Sequence, residues 1–185
     1  MNDLFPLFVG ISGKIIDELI DNNISSNPIY LDVLKSIHIS LFTLTAKNDF
    51  LFSFSTLILS LFGAGVDTNF WKSFIALSFI FSILYLSPVD NWSLFIFILL
   101  LITYFTHIEE KTFQEEYSIK KLLFRVLALI FFTGIYLLPF IVKKYNFIII
   151  TTNINYIRKL ILIAIGGLII SIMYQIYFLF IVNQA

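Results

Sequence analysis

Apolar residues along this chain fall into seven long stretches separated by short polar breaks. A helix that crosses a bilayer needs about 20 mostly apolar residues, with a range of about 17–25. The stretches that answer to this are residues 5–21, 29–46, 50–66, 70–86, 92–107, 122–142 and 160–182. Turn and capping residues punctuate them: Asn22-Asn23 with Ser25-Ser26-Asn27-Pro28, then Lys47-Asn48-Asp49, Asp67-Thr68-Asn69 and Ser87-Pro88-Val89-Asp90-Asn91. Connections this short predict that consecutive helices pack as antiparallel neighbours. Two breaks are longer. Residues 108–121 are strongly charged, and residues 143–159 hold the apolar run Phe147-Ile148-Ile149-Ile150, too short to span and expected at the interface.

The pattern predicts an all-α integral membrane protein, a bundle of six to seven short transmembrane helices with no soluble domain. Residues 1–185 form one polytopic unit. Six spans is the alternative because Lys14, Asp17, Glu18 and Asp21 make the first stretch amphipathic, as in a helix lying along the interface. Gly166-Gly167 in the last stretch permits close approach of a neighbouring backbone. No basic segment followed by a cleavage pattern opens the chain, so no removable signal peptide is expected.

Composition agrees with the pattern. Hydrophobic residues make up 59% and charged residues 13%, against about 45–50% and 25% in soluble domains. Mean hydropathy is +0.94, so a soluble or disordered chain is excluded. Twelve basic residues balance twelve acids, which argues against nucleic acid as a partner. The absence of Cys removes disulfides, thiolate metal sites and cysteine nucleophiles. The 22 Phe fit an AT-rich genome, as in an organelle, a bacterium or a large DNA virus, with the rings serving as lipid-facing packing.

With seven alternating spans the acids are shared unevenly between the two ends of the bundle. Asp17, Glu18, Asp21, Asp32, Asp67, Glu109, Glu110, Glu115 and Glu116 fall at one end, and Asp3, Asp49 and Asp90 at the other. The bases are spread evenly and leave the orientation open. Residues three or four apart share a helix face. Gly10, Lys14, Asp17 and Asp21 therefore form one stripe, and Asp32, Ser36, Ser40, Thr43 and Lys47 another, with Lys35 beside it. Counted from the turn at 1.5 Å per residue, Asp21 is level with Asp32, Asp17 with Lys35–Ser36, and Lys14 with His38–Ile39. An ion in hydrocarbon costs at least about 2.5–3.5 kcal/mol, so these groups are expected to face one another, other helices or water.

Three functions fit such a pocket. The first is binding of a cation or a cation–phosphate headgroup, including catalysis on a lipid or prenyl phosphate. Asp17 and Asp21 would hold a divalent cation such as Mg²⁺. Asp32 and Asp67 would complete its shell or act as base, and Lys35 with Arg125 would hold phosphate. The five residues Asp17–Asp21 resemble the metal–diphosphate motif of membrane prenyltransferases of the UbiA type. The chain lacks that family's Asn before the first Asp pair and its second Asp-x-x-x-Asp, so its activity is not carried over. The second function is an ion or proton channel or transporter using Lys14, Asp17, Asp21, Asp32, Lys35 and His38. The third is a non-catalytic subunit of a membrane complex. Expected partners are membrane lipid, a second copy or other membrane subunits.

Other chemistries are excluded. His38 and His107 sit at different depths, which disfavours a bis-His haem. The last span has no central Lys for a retinal Schiff base, and Gly63-Ala64-Gly65 lacks the Lys of a nucleotide-binding loop.

Overall fold

The protein is described from a computed structural model, covering residues 4–21, 28–47, 49–63, 68–86, 92–113, 118–144 and 154–182. Seven α-helices follow one another among these residues: α1 Phe5–Asp21, α2 Pro28–Ala46, α3 Phe50–Gly63, α4 Asn69–Leu84, α5 Trp92–Thr112, α6 Ile119–Lys144 and α7 Ile154–Phe180. One α-helix falls on each expected stretch. Two of them, Pro28–Ala46 and Ile157–Phe180, are long and apolar enough to cross a membrane by length and composition. Phe50–Leu61, Asn69–Leu84 and Ile96–Glu109 are apolar but shorter. The apolar run at residues 147–150 and the remainder of the Gly63-Ala64-Gly65 segment lie outside the described residues.

The helix starts follow from local chemistry. Thr68 caps α4, its hydroxyl accepting from the Trp71 backbone N–H. Asp49 accepts from the Phe52 N–H at 3.0 Å at the start of α3, and Ser118 accepts from the Lys121 N–H at 3.2 Å at the start of α6. Each satisfies an N–H that the first helical turn leaves orphaned. The expected break at residues 108–121 is shorter than anticipated, because α5 runs on to Thr112 and carries Glu109 on its last turns.

Two apolar cores hold the bundle. Val9, Ile16, Phe42, Phe52, Trp71 and Phe74 join α1 to α4. Phe50, Ile98, Ile102, Ala128, Phe132 and Leu160 join α3 to α5, α6 and α7. The cores are tied together where α1 crosses α7. A side chain at Gly10 would run into the Ile163 carbonyl, and one at Gly166 into the Leu7 carbonyl. The two backbones therefore touch, and only glycine allows it. Gly167, one residue on, meets nothing within 4 Å. At the opposite end of the bundle from Glu109 and Arg125, Lys159 of α7 pairs with the buried Asp49.

Candidate functional site

Between the two cores lies a cavity of about 410 Å³. Its apolar walls include Trp71 and Phe74 from one core and Ile102, Ala128 and Phe132 from the other. Its size falls within the range of small-molecule sites. Charged residues at the C-terminal ends of α1 and α5 and the N-terminal end of α6 surround one end. Among the described lining residues, four carboxylates (Asp17, Glu18, Asp21 and Glu109) accompany three cations (Lys14, Lys121 and Arg125).

The α1 charges are arranged by helical spacing. Lys14 lies 2.7 Å from Asp17 and 3.1 Å from Glu18, three and four residues along the same face. Opposite them, Arg125 is 8% exposed and its guanidinium is fully engaged. It meets the Glu109 carboxylate at 2.6–2.7 Å and donates to the Ser171 carbonyl and the Gln175 side-chain oxygen at 2.9 Å. Gln175, wholly buried, donates in turn to the Ser118 carbonyl at 3.1 Å. A buried Arg is tolerable only when its donors are matched in this way. The network locks α5, α6 and α7 together at the charged end.

His38 lies deeper on the cavity wall and is 2% exposed. Its ring packs among Phe70, Trp71 and Phe74, with centroids 4.6–6.1 Å away. Ser12 Oγ lies 2.8 Å from its Nδ1. The Ser12 hydroxyl also lies 2.8 Å from the Phe8 carbonyl, the usual acceptor for a serine inside a helix. With its proton on a backbone carbonyl, Phe8 or Val9, Ser12 Oγ accepts from Nδ1–H, and that tautomer leaves the lone pair on Nε2. That Nε2 is buried and has no hydrogen-bond partner among the described residues. An unsatisfied buried acceptor costs about 1–3 kcal/mol.

The structure thus gathers Lys14, Asp17, Asp21, His38 and Arg125 around one cavity. Asp32 and Lys35 are placed elsewhere. Asp32 is 73% exposed on the outer side of α2, in a shallow surface groove with Ser36 and Ser40, and pairs with Lys35 of its own helix at 3.3 Å. Lys35 also lies 5.8 Å from the Phe70 ring centroid. The α2 stripe does not meet the α1 stripe, because α2 turns His38, Phe42, Thr45 and Ala46 inward instead. Ser36, Ser40 and Thr43 satisfy their hydroxyls on carbonyls four residues back. Asp67 lies outside the described residues. Glu18 was legible only as a member of the acidic end, Glu109 as part of a charged loop able to lend a carboxylate to the site, and the aromatic walls carried no signal beyond general apolarity. Among the described residues no group of three or more His, Cys, Asp and Glu is placed to hold a metal ion. No protein-family model matches the chain, and no curated protein or solved structure matches it either.

Proposed function

We propose that the chain is a polytopic membrane protein whose interhelical cavity binds an amphiphile through a cationic headgroup. The headgroup sits among Asp17, Glu18, Asp21 and Glu109, and the apolar body lies along Trp71, Phe74 and Phe132. The observation that carries this reading is the cavity's make-up, apolar and aromatic within and charged at one end. A cationic headgroup matches the carboxylates at that end, and an apolar body matches the aromatic walls. The two long apolar helices support the membrane setting. The polar stripe of α2 faces away from the cavity, so nothing favours a conducting path along it.

The test is ligand-dependent thermal stability of the purified protein in lipid nanodiscs. Decylamine at about 100 times its dissociation constant stabilises the native state by about 2.7 kcal/mol, or roughly 5–10 °C for a chain of this size. Decanoate is expected to bind far more weakly, and Asp17→Asn with Asp21→Asn to abolish the difference. Mg²⁺ alone and Mg²⁺ with pyrophosphate are parallel arms that separate an organic cation from a cation-bridged phosphate headgroup. Decanoate binding as tightly as decylamine, with no response to the other arms, overturns the reading.

A further inference from the structure

The deeper wall of the cavity leaves one polar atom unexplained. His38 Nε2 is buried on the cavity wall and has no hydrogen-bond partner among the described residues, and it carries a lone pair in the tautomer whose Nδ1–H donates to Ser12. We propose that His38 Nε2 is the acceptor for a hydroxyl on the buried body of the ligand, so that the cavity selects an amphiphile with a cationic head and a hydroxyl group along or at the end of its apolar chain. This rests on the cationic-amphiphile reading of the same cavity.

The ligand's dimensions follow from α1. Ser12, which holds His38, lies five residues before Asp17 and nine before Asp21. At 1.5 Å per residue the acceptor is about 8–14 Å along the helix axis from the carboxylates, a span that an extended ten-carbon chain can bridge. The donor is a neutral hydroxyl and not a second ammonium, because an ammonium brings three N–H donors and Nε2 offers a single acceptor. A site built to receive a donor penalises the analogue that lacks it, since the acceptor is then left unpaired.

A matched pair of probes tests this: 10-aminodecan-1-ol and decylamine share head and chain length and differ in the hydroxyl. Trp71 lines the cavity and is one of two tryptophans in the chain. A Trp92→Phe background therefore leaves it as the chain's sole tryptophan, excited selectively over the tyrosines and read in nanodiscs. The amino alcohol is expected to bind about five- to tenfold more tightly than decylamine. His38→Phe keeps an aromatic ring in the cluster and leaves Ser12 bonded to Phe8, and it is expected to bind both probes equally. Imidazole ¹⁵N NMR reads the same contact without altering His38. In a His107→Gln background the amino alcohol, but not decylamine, moves the Nε2 resonance. Equal affinity of the parent protein for the two probes, the result if water alone meets Nε2, overturns the proposal and leaves the headgroup reading standing. A preference that survives in His38→Phe also overturns it. Failure of both probes to bind refutes the headgroup reading, and this proposal with it.

Discussion

Alanine placed at Gly166 and at Gly167 gives two neighbouring substitutions with opposite expected outcomes. At Gly166 the new Cβ would lie 3.0 Å from the Ile11 nitrogen and 3.3 Å from the Gly10 carbonyl carbon, and would overlap the Leu7 carbonyl oxygen. All three are backbone atoms of α1, so no side-chain rotation relieves the clash and α7 must withdraw. Overpacking of this kind costs about 1–3 kcal/mol, and a gap of about 0.5–1 Å forfeits a quarter to a half of each dispersion contact along the crossing. The helix-propensity gain of Gly→Ala returns about 1 kcal/mol, for a net loss of about 2 kcal/mol. At Gly167 nothing lies within 4 Å, so only the propensity gain remains, about 1 kcal/mol. The two variants should therefore differ by about 3 kcal/mol, or roughly 6–12 °C in Tm. Thermal unfolding in detergent, followed by tryptophan fluorescence, measures it. A Gly166→Ala protein that melts at or above Gly167→Ala would refute the backbone contact between α1 and α7.

The Arg125 network makes a second prediction. Arg125→Met leaves Glu109 without its guanidinium partner and should cost about 3–5 kcal/mol, most of which returns in Arg125→Met with Glu109→Met. A double-mutant unfolding cycle measures the coupling, and simple additivity of the two changes would show that the pair is not a unit. Asp32→Ala, on the outer side of α2, should change stability by no more than about 0.5 kcal/mol, whereas Lys35→Ala also removes the contact with the Phe70 ring; both should leave decylamine affinity unaltered. Weakened binding in either would bring α2's outer face into the site.

The helices of this protein were legible in its sequence because their cause is local. Runs of apolar residues of helical length, broken by Asn, Pro, Asp, Thr and Gly, place the seven helices, though α5 runs on to Thr112, α6 begins at Ile119 and α7 begins at Ile154, all beyond the expected bounds. The edges of α1 and α2 follow the pattern almost to the residue. The axial register of the α1–α2 hairpin was legible too, since a short turn and a fixed rise leave little freedom. His38 was expected level with Lys14, and it lies against Gly13 and Ser12. The grouping of charges by end also followed from alternation alone. Every described ion pair joins residues of the same end, including Lys159 with Asp49 and Arg125 with Glu109.

Rotation about each helix axis was decided only by the tertiary structure. Helix α2 carries two regular stripes, Asp32-Ser36-Ser40-Thr43 and His38-Phe42-Thr45, and its sequence does not say which turns inward. The serines and the threonine close their hydrogen bonds on their own helix, so that face bears exposure cheaply. His38 and Phe42 gain a wall of aromatic neighbours by turning in. For the same reason Lys14 meets Asp17 and Glu18 of α1 and not the α2 set. Arg125 finds Glu109, Ser171 and Gln175 across three helices. Helix formation depends on neighbours a few residues away, whereas a cavity depends on which side chains fail to fill the space between helices distant in sequence.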